Sequence, residues 1–187
     1  MDIELSSEVK TWLLTQARSC LGHYLSFGKI PSLDGLPTDP VLQENRGVFV
    51  TLTQRKTHQL RGCIGTLQTQ DPLWKSVMLY VIYAALNDTR FVPVTPPELP
   101  HLRIEISVLS PFLPISSYTD IVLGKHGILF EKSGKRAVFL PHVPLEHGWT
   151  LTETLDQLAL KAGLHKEAWK DHSQFKVFES LYFSETL

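Results

Sequence analysis

The stretch that most restricts how this chain can fold begins at Asp71-Pro72 and runs through Leu73 to Leu86, which is apolar almost all round a helical projection. A surface helix of a globular protein shows a single apolar stripe, so a helix without a polar face has to be covered by other elements. Aspartate as N-cap with proline at the first helical position predicts its start. The fold must therefore supply further layers around a central helix.

Two other helices have the ordinary one-sided pattern. From Ser7 to Phe27, the residues Val9, Trp12, Leu13, Ala17, Cys20, Leu21 and Tyr24 follow one stripe, with Ser6 or Ser7 as cap and Gly28 as stop. Thr150-Leu151-Thr152-Glu153 is a capping box that opens a helix ended by Gly163. The strands alternate instead. Gly47 to Thr53 and Leu60 to Leu67 form a hairpin around Gln54 to Gln59, and Leu102 to Leu109 turns Leu102, Ile104, Ile106 and Val108 inward. Gly127 to Glu131 and Arg136 to Leu140 form a second hairpin around Ser133-Gly134-Lys135, and Phe175 to Phe183 reads as a last strand. Residues 29–46, with Pro31, Asp34, Gly35, Pro37 and Pro40, read as a long loop. Helices mixed with antiparallel hairpins, without βαβ repetition, define an α+β protein.

The charge balance excludes several classes of function. Eighteen lysines and arginines face nineteen acidic residues, so there is no basic field for nucleic acid and no polybasic membrane patch. The start, Met1-Asp2-Ile3-Glu4, is acidic where a signal peptide is basic and apolar, and no stretch suits a bilayer span, so the expectation is a cytoplasmic protein. The two cysteines, Cys20 and Cys63, lie in unlike settings and make no disulfide framework. Cys20 belongs to the buried stripe of the first helix. The aromatic residues, including Trp12, Trp74, Trp149 and Trp169, fall mostly on apolar stripes and read as core.

Chemistry points to Leu60-Arg61-Gly62-Cys63-Ile64-Gly65. In a regular strand Leu60, Gly62 and Ile64 share the core face, while Arg61, Cys63 and Gly65 look out, with Arg61 about 7 Å from Cys63, where a cation favours a thiolate. Two glycines beside a thiol mark a place where another group, such as a ligand, comes close to the backbone. The competing reading is a cysteine packed as a small hydrophobe.

The same tract, followed by Asp88-Thr89-Arg90-Phe91-Val92-Pro93, Ile106-Ser107-Val108-Leu109-Ser110, Gly124-Lys125-His126-Gly127-Ile128, Phe139-Leu140-Pro141-His142-Val143 and Lys161-Ala162-Gly163-Leu164, resembles the AMMECR family in its prokaryotic form, AmmeMemoRadiSam system protein A. The resemblance covers nearly the whole chain as a single domain, 1–187. It implies an α+β fold of two unequal lobes, the larger built from both termini and the smaller from a central insert, with a cleft holding the motif cysteine. It implies functional association with a Memo-like protein and a radical S-adenosylmethionine protein, but no particular reaction. Two positions depart from the pattern. His142 stands where Gln or Glu is common, and Val92 where proline is usual, so no family-wide role is assigned to His142.

The expected catalytic pair is Cys63, as nucleophile or redox thiol, with His126 as proton partner, because a nucleophilic thiol needs a base or a positive neighbour. The competing reading is that His126 begins a hairpin strand and hydrogen-bonds a backbone carbonyl in its turn. Arg61, Gly62, Asp88, Arg90, Glu105 and Lys125 are the candidate substrate-binding residues, since arginine forks suit carboxylate or phosphate. Against this, Asp88 and Arg90 can simply pair across a loop, and Glu105 can be a solvated strand position. No cofactor is expected. A metal site from Cys63, His126, His142 and His147 is disfavoured by spacing. The rival function is a non-catalytic module that grips a protein or ligand with the same residues.

Overall fold

The structure is a computed structural model and describes residues 3–32 and 38–186. Asp34, Gly35 and Pro37 of the expected long loop lie outside the described residues. The chain divides into two compact units: Glu4–Leu109 with the segment from Leu181 on, and Ser110–Ser180.

The first unit has helices α1 (Ser7–Phe27) and α2 (Leu73–Leu86) and strands β1 (Val48–Gln54), β2 (Leu60–Thr66), β3 (Leu102–Leu109) and β8 (Ser180–Ser184), ordered β2-β1-β3-β8 in one sheet. Ser6 caps α1 by accepting the Val9 N–H, and Gly28 closes it in the left-handed conformation at φ 68°. The start of α2 differs from expectation. Pro72 occupies the cap position without a side-chain hydrogen bond, and Asp71 instead pairs with Lys75 at 2.6 Å. Val48, Val50 and Leu52 of β1 and Leu102, Ile104, Ile106 and Val108 of β3 are fully buried, as alternation requires of the face turned to the core. The C-terminal segment is clasped onto this unit. The Glu185 carboxylate is held by Arg18, by Arg55 at 3.0 Å and by the Ile104 N–H at 3.0 Å, and its backbone bonds back to Ile104.

The second unit contains β4 (Leu113–Ile115), β5 (Gly127–Lys132), β6 (Lys135–Phe139) and β7 (Gln174–Phe178), ordered β4-β7-β5-β6, with a short α3 (Val143–Glu146) and α4 (Leu151–Lys161). Its core joins Ile128, Phe130, Phe139, Leu155, Leu158 and Trp169 among others. The Trp169 indole donates to the buried Asp156 at 2.8 Å, which satisfies both polar groups. The β5–β6 hairpin turns through Ser133 and Gly134, both at positive φ (50° and 75°), as a tight two-residue connection requires.

The alternating run from Phe175 to Phe183 is two strands rather than one. It breaks at Glu179, so that β7 joins one sheet and β8 the other. Alternation alone does not say which sheet a strand enters, so this division is invisible in the pattern. The mixture of helices and antiparallel sheets is α+β.

Candidate functional site

Register builds the site. β1 pairs with β2 and with β3, aligning Cys63 with Thr51 and Thr51 with Glu105, so the three side chains form one line across three strands. Which face that line occupies follows from Gly62. A Cβ on this residue would stand 2.0 Å from the Ala84 carbonyl oxygen of α2, so Gly62 faces the helix and Cys63 faces away from it. The neighbouring line on the Cys63 face is Gly65, Phe49 and Ser107, and a Cβ on Gly65 would meet the Phe49 ring at 2.4 Å. Both glycines thus do mark close approaches to the backbone, but the approaching groups are the helix backbone and a phenyl ring of the same unit rather than a ligand.

The expected placement of Arg61 is overturned. The pairing runs Leu52↔Gly62 and then Thr53↔Leu60, so Arg61 is the extra residue of a β-bulge. Leu60 is consequently exposed, while Arg61 is 8% exposed and paired with Glu98 through Nε at 3.0 Å. Its Nη1 meets no acceptor among the described residues. The guanidinium is committed to Glu98, on the helical turn Pro96–His101, and does not continue the outward face of β2.

Asp88 and Arg90 pair, as the local reading allows, and they also hold the cysteine strand. Asp88 Oδ2 accepts the Cys63 N–H at 2.8 Å and Arg90 Nη2 at 2.7 Å, and Oδ1 accepts Arg90 Nε at 2.9 Å. Arg90 Nη2 also donates to the Cys63 carbonyl at 3.4 Å. β2 is the outer strand of its sheet, and this pair occupies the backbone groups that Cys63 turns away from β1. Asp88 is 7% exposed, and the guanidinium fork beside it holds its carboxyl well below the usual carboxylate range, with the Cys63 and Arg90 amides acting in the same direction against the effect of burial. The Arg90 side chain is 56% exposed, and its Nη1 is left without an acceptor among the described residues.

Around the thiol, the Thr51 hydroxyl donates to Cys63 Sγ at 3.2 Å. Glu105 is not a solvated position. Its side chain is 15% exposed, accepts the Thr53 hydroxyl at 3.3 Å, stands 3.7 Å from Arg103 Nη1 and meets the Tyr182 hydroxyl from β8. Cys20, by contrast, is sealed in the helix layer against the Met78 carbonyl, and burial pushes its thiol up to about 11.

Lys125 and His126 belong to the other unit. Lys125 pairs with Glu179 at 3.3 Å, and His126 Nδ1 accepts the Val122 N–H at 3.1 Å. The local partner of the histidine is thus a backbone amide rather than the expected carbonyl. With Nδ1 so used, the neutral ring carries its proton on Nε2, where it can donate to an anion but has no lone pair with which to take a proton. His147 stacks on Trp149 at 4.3 Å, His142 precedes α3, and no cluster of three metal-ligating side chains occurs among the described residues. Thr51, Thr53, Arg103 and Tyr182 were not legible as members of the site, because they enter it only through cross-strand register.

A family profile described as AMMECR1 matches residues 14–183. A protein of Methanopyrus kandleri is 36% identical over 193 residues, covering 99% of this chain and 92% of that one. One of Aquifex aeolicus is 40% identical over 139 residues, covering 72% of this chain and 71% of its own. The crystal structure of an uncharacterized protein from Pyrococcus horikoshii superposes with a TM-score of 0.84 at 34% identity, over 98% of this chain and 94% of that one.

Proposed function

The chain belongs to the AMMECR1 family, and from the geometry around its cysteine strand we propose that it works through Cys63 as a thiol nucleophile or redox thiol, with Arg90 anchoring an anionic group of the substrate. The observation that carries this reading is the Thr51 hydroxyl donating to Sγ while Asp88 and Arg90 fix the cysteine backbone from the other side. A hydrogen-bond donor aimed at sulfur supports the thiolate, the nucleophilic form, and a fixed backbone keeps the sulfur in place. A half-exposed guanidinium beside it has an outward N–H edge for a carboxylate or phosphate.

We also propose, from the family resemblance, that the protein acts with a Memo-like protein and a radical S-adenosylmethionine protein. Co-purification of the three proteins supports this, and independent behaviour at micromolar concentration opposes it.

The test is alkylation by iodoacetamide at neutral pH, in which the thiolate displaces iodide and a C–S bond replaces C–I, with Cys20 as internal control. Cys63 is expected to react at least as fast as a free thiol while Cys20 stays unmodified in the folded protein. Iodoacetate, an anion, is expected to gain on iodoacetamide relative to their ratio with free cysteine. Reaction of Cys63 no faster than Cys20 refutes the thiol reading and leaves the binding module, which needs no reactive sulfur.

A further inference from the structure

Of the four strands that end the two sheets, three have obstructed outer edges. Asp88 and Arg90 occupy the backbone of β2, Lys161 Nζ donates to the Val138 carbonyl of β6 at 2.9 Å, and β4 is three residues long with Pro114 at its centre. β8 has no such protection. It reads Ser180-Leu181-Tyr182-Phe183-Ser184, without a charge or a proline. The Glu185 N–H goes to the Ile104 carbonyl of β3. By the alternation of an antiparallel ladder, Leu181 and Phe183 then turn their backbone groups to β3, while Ser180, Tyr182 and Ser184 turn theirs outward. These outward N–H and C=O groups meet no partner among the described residues, and Tyr182 at their centre is 54% exposed.

We propose that β8 pairs with β8 of a second copy of this chain, antiparallel about a twofold axis at Tyr182. The strand is its own complement. Read in either direction it gives serine, a large apolar residue, tyrosine, a large apolar residue and serine. Laid antiparallel on itself, it sets Ser180 opposite Ser184 of the second copy, Leu181 opposite Phe183, and Tyr182 opposite Tyr182, so like meets like on each face of the sheet. The charges at its ends fit as well. Glu179 falls opposite Glu185 of the second copy, but each brings its own cation, Lys125 on Glu179 at 3.3 Å and Arg55 on Glu185 at 3.0 Å, so the two carboxylates do not meet bare. The outward residues form three facing pairs, each exchanging two main-chain hydrogen bonds, and the central tyrosines become a cross-strand aromatic pair. With the other edges obstructed, pairing stops at two copies instead of continuing into a fibre. The proposal is independent of the chemistry at Cys63.

Sedimentation equilibrium of the full chain, from micromolar to millimolar concentration, is expected to show a reversible monomer–dimer equilibrium. Tyr182→Pro removes an N–H that β3 does not use, which an edge strand tolerates, and should raise the dissociation constant about tenfold or more because the bond is lost from both copies. Tyr182→Lys, which sets two ammonium groups opposite each other, should do the same. A cross-link reads the register without relying on either variant. A facing, hydrogen-bonded pair has its Cα atoms about 5.5 Å apart, within disulfide reach. The double variant Cys63→Ser, Tyr182→Cys should therefore oxidise to a covalent dimer joined at position 182, while Cys63→Ser alone stays unlinked. A chain that remains monomeric at millimolar concentration overturns the proposal. So does a dimer whose dissociation constant both Tyr182 variants leave unchanged, or a double variant that forms no linked dimer.

Discussion

Replacing Asp88 by asparagine tests how the cysteine strand is held. Both carboxylate oxygens are used: Oδ2 by the Cys63 N–H at 2.8 Å and Arg90 Nη2 at 2.7 Å, Oδ1 by Arg90 Nε at 2.9 Å and its N–H at 3.2 Å. An asparagine amide offers one oxygen and one NH2, so in either orientation a donor faces a donor. Turned one way it strands the Cys63 N–H, at about 1–3 kcal/mol for a buried donor. Turned the other way it breaks the arginine fork, a loss of roughly 1 kcal/mol because the Arg90 side chain is half in water. The amide takes the cheaper orientation, which keeps the Cys63 bond, so the expected destabilisation is about 1–2 kcal/mol, or on the order of 2–8 °C in thermal midpoint for a chain of this size. The sign of the pH dependence is fixed as well. A carboxyl held below its ordinary value stabilises the fold fully above the unfolded pKa, near about 3.9, and loses that contribution as pH falls through the folded value. The deficit of Asp88→Asn should be constant from about pH 6 to 8 and narrow below about pH 4. Urea unfolding at pH 7 and pH 3 reads both quantities. A deficit under about 0.5 kcal/mol, or one that does not shrink in acid, refutes the reasoning.

Three further outcomes are expected. Thr51→Val keeps the side-chain shape but removes the donor to Sγ, and should lower the Cys63 alkylation rate at neutral pH by about two- to tenfold, with Thr51→Ser restoring it; equal rates in all three proteins dismiss the hydroxyl. Gly62→Ala drives a Cβ into the Ala84 carbonyl, a backbone atom that cannot swing aside, and should cost about 3 kcal/mol in urea unfolding; a loss below about 1 kcal/mol means β2 and α2 separate more easily than their packing suggests. Glu185→Ala leaves Arg18 and Arg55 without their carboxylate and the Ile104 N–H without its acceptor, and should cost about 2–3 kcal/mol and speed hydrogen exchange at Ile104; unchanged exchange dismisses the clasp.

What the sequence made legible is what local pattern controls. The stripe of α1, its Ser6 and Gly28 ends, the inward residues of β3 and the Thr150 capping box all follow from periodicity and end chemistry, which act over a few residues. The misses are nonlocal. A regular hairpin closing at Thr53↔Leu60 would pair Leu52 with Arg61 and Thr51 with Gly62. The bulge inserts Arg61 as an extra residue, moves Thr51 opposite Cys63 and takes the arginine off the outward face. One residue of register therefore decides which side chains meet the thiol, and register answers to the helix packed beneath Gly62 and to Glu98, both distant in sequence. The break at Glu179 is of the same kind, since β7 and β8 share one alternation but serve two sheets. Asp88 and Arg90 were legible as a pair, but their bonds to the Cys63 backbone depend on where the chain returns after α2.

The clamp on Cys63 also affects how copies of the protein behave towards one another. β2 ends its sheet, and an end strand with open N–H and C=O groups is a template on which a second chain can lay down a strand of its own. With Asp88 and Arg90 seated on the middle of that edge, an incoming strand finds its central partners already taken and a pair of charged side chains in its path. The bonds that fix the thiol thus also block this edge against a second strand. Variants that loosen the clamp are expected to self-associate through this edge at lower concentration than the native protein does.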